Sequence, residues 1–189
     1  MPKLPGAVTT CAHCQSLNLR FDQALALGDY DGLLREQCLR MKTDRSERIA
    51  GALGRLIVTR LGHELREADA DGIVPVPMHT WRRLARGTNP PAAVATAIGA
   101  ALKLPVYSHL LIRARNTRPQ IGLSNPARFR NVRGELQVGP SYRFDDGPRI
   151  LLVDDILTTG ATCSEAARAL KRAGAAQVTA VVAARTESY

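Results

Sequence analysis

The chain has 189 residues, the length of one ordinary domain with a short extension, which excludes a large multidomain architecture. Apolar residues make up 45% and charged residues 23%, enough to bury a sizeable core and too apolar for a disordered segment. Lysine and arginine number 26 against 17 aspartates and glutamates, a formal +9 that attracts phosphate, on a polynucleotide or on a small phosphorylated substrate.

Aromatic residues, at 4%, do not interleave with a basic run, which argues against a base-stacking platform for single strands. No run approaches the roughly 18 apolar residues needed to span a bilayer. The opening MPKLPGAVTT lacks the apolar core of a secretory signal, so a cytoplasmic protein is expected. Of the four cysteines, Cys11, Cys14, Cys38 and Cys163, only the first two have metal-ligand spacing, and structural disulfides are not expected.

Residues 1–30 hold proline, glycine and the Cys11-x-x-Cys14 pair without a long periodic pattern, and read as an irregular or ribbon-like extension. Apolar residues three or four apart predict helices over 31–42 and 46–66. In the second, Asp44 or Ser46 is the expected cap, and Ile49, Leu53, Leu56, Ile57, Leu61 and Leu65 form one stripe. A short strand at 73–77, a basic stretch at 79–89 and an alanine-rich helix at 91–103 predict one βα unit. Residues 105–107 are a strand candidate, and 112–131 a long polar segment, a length of loop that is uncommon unless functional. A short strand at 136–138 and a turn-rich stretch at 139–148 lead to a strand at 149–155, a loop at 156–161, a helix at 162–173 and a final strand at 177–183. This alternation predicts an α/β fold with a largely parallel sheet covered by helices on both faces, as the continuous apolar run at 150–153 requires. Ligands in such sheets bind at the carboxyl ends of strands.

The buried strand ends in Asp154-Asp155, and the chain turns through Thr158, Thr159, Gly160, Ala161 and Thr162 into a helix. Amides of a glycine-containing turn at a helix N-terminus converge on an anion, aided by the helix dipole. Adjacent carboxylates would repel a phosphate but suit a sugar diol, directly or through a hydrated divalent ion. The pattern therefore favours a phosphorylated sugar over the alternatives of a helix cap or a solvated turn. No Gly-Lys-Ser/Thr follows, which disfavours nucleoside triphosphate hydrolysis.

The segment LLVDDILTTGAT resembles the phosphoribosyl-pyrophosphate (PRPP) binding motif of type I phosphoribosyltransferases. By that resemblance Asp154 and Asp155 bind the ribose hydroxyls, Thr158 to Thr162 bind the 5′-phosphate, and the fold is the type I, Rossmann-like one. The stretches at 28–42, 74–89 and 115–136 resemble one branch, the ComF-like proteins associated with DNA uptake in competent bacteria. The resemblance implies a pyrophosphate site near Pro77, Met78, His79, Arg82, Arg83 and Arg86. It also implies a loop over 115–131 that closes on the reacting centre, with Arg115 joining Asp154 and Asp155 as catalytic residues. Mg²⁺ accompanies PRPP in this chemistry, where cations stabilise a departing pyrophosphate and a closing loop excludes water.

ComF-like proteins commonly begin with two Cys-x-x-Cys knuckles around one Zn²⁺. Here one pair, Cys11 and Cys14, is present, so the zinc site reads as incomplete, and residues 1–45 as a partial ribbon plus helix before a phosphoribosyltransferase-like domain at 46–189. Gly87-Thr88-Asn89-Pro90-Pro91 also departs from the family pattern, with prolines fixing the path into the helix. The leading expectation is a Mg²⁺-dependent phosphoribosyltransferase whose acceptor is not legible. The alternative is a non-catalytic PRPP- or nucleotide-binding module that assists DNA uptake or handles single-stranded DNA. Expected partners are a nucleotide-like small molecule, single-stranded DNA or competence-machinery proteins, and a second copy in a homodimer.

Overall fold

A computed structural model describes residues 19–44, 47–78, 88–115 and 122–186. Four strands form the main sheet: β1 (Gln23–Asp29), β2 (Gly72–Pro75), β5 (Arg149–Leu157) and β6 (Gln177–Arg185), in the order β1-β6-β5-β2 and all parallel. Beyond β2, Val106 adds a single parallel bridge to Ile73. The strand expected at 105–107 thus shrinks to one bridge, flanked by bonds from the Ile73 amide to Pro105 O and from the Tyr107 amide to Ile73 O. Pro105 has no amide to extend the ladder. A separate antiparallel pair, β3 (Leu111–Arg113) and β4 (Leu136–Val138), stands beside the sheet.

The helices are α1 (Gly32–Met41), α2 (Arg48–Glu67), α3 (Pro90–Leu102), α4 (Asn125–Val132) and α5 (Ala161–Arg172). Successive strand residues point to opposite faces, and both faces are covered. Leu151, Val153 and Val181 pack with Cys38 and Met41 of α1, Leu53 and Ile57 of α2, and Val94 and Ile98 of α3. The alternate residues Ile150, Leu152, Val178 and Ala180 pack with Ala166, Ala167 and Leu170 of α5, and with Leu111 and Leu136 of the hairpin. Helices α2 and α3 approach closely at Gly54, where a Cβ would lie 2.7 Å from the Ala97 Cβ and 2.8 Å from Val94 O. Glu47, not Asp44, is the N-cap of α2 and makes no side-chain cap bond, while the Ile49 amide donates to the Asp44 carboxylate at 3.0 Å; Ser46 lies outside the described residues.

Several readings of the sequence are corrected. Residues 23–29, read as part of an irregular extension, are an edge strand paired along its length with β6. Its apolar run, Ala24–Leu27, is only four residues long, too short for periodicity to tell a strand from a helix segment. Helix α1 likewise buries Cys38 and Met41 completely against the sheet, so the segment before residue 45 contributes to the main core. The polar stretch at 112–131 contains most of β3 and most of α4, whose sequence NPARFRNV buries only Val132 and so shows no apolar periodicity. Strand β5 also continues to Leu157, because Ile156 and Leu157 still pair with Ala184 and Arg185.

The connection from β5 passes through α5 to β6 on one side. The connection from β2 passes through α3, on the other face, to Val106 on the opposite side. Between the carboxyl ends of β2 and β5 lies the topological switch point, where open parallel sheets form their ligand crevice.

Candidate functional site

Strand β5 delivers the two acids to that crevice, and the structure makes them unequal. Asp154 is 8% exposed. One of its oxygens accepts the Asp155 amide at 2.8 Å, and the other lies 3.6 Å from the Cys163 thiol at the start of α5. Burial, reinforced by the neighbouring Asp155 charge, pushes the Asp154 carboxyl up to about 7. The Asp155 amide, the positive charge of Arg113 and the Cys163 thiol oppose that shift. Cys163 is itself pushed well up by burial and by these acids, so it is a packed thiol that donates rather than a nucleophile.

The Asp155 side chain is 25% exposed. Its Oδ1 accepts the Ile156 amide at 2.7 Å, and its Oδ2 pairs with Lys42 Nζ at 3.1 Å. Lys42 caps the C-terminus of α1, a position where a cation is favourable. Beneath it, burial and the Asp155 charge push the Cys38 thiol up to about 11.

After β5 the chain turns sharply. Gly160 has φ +76° and precedes α5, and a Cβ there would stand 3.2 Å from Leu19 Cδ2 in a conformation that side chains disfavour. Thr159, Gly160 and Ala161 are buried, with the Ala161 amide 3.4 Å from Thr159 Oγ1, while Thr158 is exposed and Thr162 half-buried. Leu19 and Phe21 close one side of the turn. The first-turn amides of a helix have no intrahelical acceptor, so they and the helix dipole favour an anion here.

Two further arginines come from the segment expected to close on the site. Arg128 of α4 donates through Nε to Leu123 O at 3.1 Å and through Nη1 to Thr158 Oγ1 at 3.4 Å, which places a guanidinium beside the turn that leads into α5. Arg115 donates to the carbonyls of Asn131 and Arg133, clasping the two ends of the segment. Pro77 and Met78 follow β2, with Pro77 O accepting Arg113 Nε at 2.7 Å. Sequence reasoning named Asp154, Asp155, Arg115, Pro77 and Met78 but missed Lys42, Arg113, Arg128 and Glu135; Lys42, Arg128 and Glu135 lie within the family-like stretches, which do not single them out, and Arg113 lies outside them. His79, Arg82, Arg83, Arg86, Cys11 and Cys14 lie outside the described residues.

Among the described residues no three His, Cys, Asp or Glu side chains form a metal cage. Mg²⁺ is ordinarily held by one or two carboxylates together with substrate phosphates, so the partly exposed Asp155 fits an ion that arrives with its phosphorylated ligand. A separate cleft of about 380 Å³, lined by Asp71, Tyr107, Phe144 and Ile150 among others, lies at the opposite ends of the strands, away from the acids. No helix among the described residues is long and apolar enough to cross a membrane.

A family model described as phosphoribosyl transferase domain matches residues 139–189, the span that holds β5, the turn and α5. The chain is 27% identical over 173 residues to Competence protein F of Haemophilus influenzae, covering 89% of this chain and 75% of that protein. It is 30% identical over 171 residues to the DNA utilization protein YhgH of Escherichia coli, covering 89% of this chain and 74% of that protein. A crystal structure of TT1426 from Thermus thermophilus aligns with 74% of this chain and 73% of that one at 19% identity, with a TM-score of 0.35. With a mostly parallel, helix-flanked sheet, the phosphoribosyltransferase motif at its carboxyl edge and relatives matched along most of their length, the chain belongs to the ComF-like family of phosphoribosyltransferase-fold proteins.

Proposed function

We propose that this protein is a Mg²⁺-dependent phosphoribosyltransferase that binds PRPP and catalyses displacement of pyrophosphate at the ribose anomeric carbon. The observation that carries this reading is the meeting, at one switch point, of a partly exposed carboxylate at Asp155 and an anion-favouring turn at 158–162. Asp155 takes the ribose hydroxyls, with Asp154 behind it, and the turn and Arg128 take the 5′-phosphate. Charge-assisted hydrogen bonds of this kind contribute about 1.5–3 kcal/mol each. The bond from the anomeric carbon to the pyrophosphate oxygen breaks with its electron pair, and the lone pair of an acceptor base or amine closes on the same carbon. Mg²⁺ carried on the pyrophosphate would neutralise the charge that develops there. The chain's own contribution is positioning and electrostatics, so no conspicuous general base is required.

Titration calorimetry with PRPP and Mg²⁺, followed by pyrophosphate release against a panel of bases and amines, tests this reading. Saturable binding with acceptor-dependent release supports it; no PRPP binding defeats it. Binding without turnover favours a second reading, a PRPP- or nucleotide-binding module acting on DNA. The names of the relatives and the +9 charge favour that alternative. Its signature is single-stranded DNA affinity that falls steeply with salt.

A further inference from the structure

Arg113, the last residue of β3, belongs to no motif in the sequence, yet it joins three parts of the molecule. Its side chain is 12% exposed and pairs through Nη1 with Glu135 Oε1, a carboxylate that is completely buried. Its Nε donates to Pro77 O at 2.7 Å. Pro77 follows Val76, whose amide donates to Val153 O at 2.8 Å, so the Pro77 carbonyl stands alongside the point where β5 enters the acid pair.

The other end of this link is anchored equally firmly. The Ala114 amide donates to Glu135 O at 2.8 Å, and the Gly134 amide donates to Glu165 Oε1 at 2.6 Å. Glu165 is buried on α5 and also pairs with Arg168. A line of charge-assisted bonds therefore runs from Pro77 after β2, through the hairpin, to the helix that begins at the phosphate turn. A buried ion pair is poor value for stability alone, since a well-packed apolar pair of similar volume often does as well. An apolar pair could not donate to the Pro77 carbonyl, and only the planar fork of arginine bonds both acceptors at fixed geometry.

We propose that Arg113 is a positioning residue for the leaving-group side of the site, holding Pro77 after β2 in register with Asp154 and Asp155 so that the protein favours PRPP over ribose 5-phosphate. This rests on the proposed function: with ribose at Asp155 and the 5′-phosphate common to both ligands at residues 158–162, the pyrophosphate of PRPP falls to the β2 side of the switch point, where Pro77 stands. The charge of Arg113 also acts on Asp154, in keeping with its closeness to the acids.

The test compares the affinities of the full chain for PRPP and for ribose 5-phosphate, both with Mg²⁺, in three proteins. In the wild type PRPP binds more tightly. The paired substitution Arg113→Met with Glu135→Leu removes both charges together, so neither is left buried alone. It is expected to unfold near the wild-type temperature, to lower PRPP affinity roughly ten-fold or more, and to leave ribose 5-phosphate affinity within about two-fold. Arg113→Lys keeps the pairing with Glu135 but lacks the fork, and is expected to lose part of the preference. It also serves if the paired variant does not fold. An unchanged preference in a folded variant, or an equal loss for both ligands, overturns the positioning role while the proposed function stands. A wild-type chain that binds neither ligand overturns both.

Discussion

The segment from β5 through α5 and the segment from β3 through β4 pack against each other and are built on different principles. In the first, a buried apolar strand, two acids, a glycine at φ +76° and a helix follow one another within 24 residues, so the chemistry is local. In the second, a three-residue strand, an arginine-rich helix and another three-residue strand bury few apolar side chains. They act through Arg113, Arg115 and Arg128, whose acceptors lie 36, 16 to 18 and 30 residues away. The comparison teaches that the β5–α5 segment supplies the acids and the turn of the proposed site, while the hairpin segment brings arginines to it from residues distant in sequence.

The largest expected effect breaks the local side. Replacing both acids, Asp154→Asn with Asp155→Asn, should weaken PRPP binding at least about 100-fold by calorimetry with the fold intact by circular dichroism. Unchanged affinity would remove the ribose assignment. Gly160→Val forces a β-branched residue into a left-handed turn against Leu19, and should lower PRPP affinity by roughly ten-fold or more, with a lower Tm.

The distant side should respond more gently. Arg128→Gln is expected to weaken both PRPP and ribose 5-phosphate by roughly three- to ten-fold and to flatten the salt dependence of binding, since its bond to Thr158 is long and partly solvated. An effect confined to PRPP would place Arg128 elsewhere. Lys42→Met removes a half-exposed partner of Asp155 and should change PRPP affinity by no more than about five-fold.

Asp154 also sharpens the comparison through pH. Its carboxyl sits at about 7 in the folded chain against an ordinary 3.8, so the folded state binds that proton more tightly than the unfolded one. The associated stability is present at low pH and is lost as pH rises through about 7. Asp154→Asn should therefore raise Tm relative to wild type at pH 8 by several degrees, at about 2–4 °C per kcal/mol, with a smaller difference at pH 5. An equal difference at both values would show that the buried carboxyl is not the cause.

What the amino-acid order determined alone was whatever depends on neighbours along the chain. The apolar run of β5, the stripe of α2 and the acid pair followed by a threonine-glycine turn announce a parallel sheet with a sugar-phosphate motif at its edge, because strand, cap and turn preferences act over a few residues. Tertiary structure decided the rest. Gln23–Asp29 becomes a strand only because the last strand lies beside it, and α4 forms without a legible stripe. Burial separates Asp154 from Asp155, which local sequence makes alike. Lys42, Arg113 and Arg128 join the site because packing brings distant charges to carboxylates, a carbonyl and a hydroxyl, and electrostatic partnership depends on distance in space, not on separation in sequence.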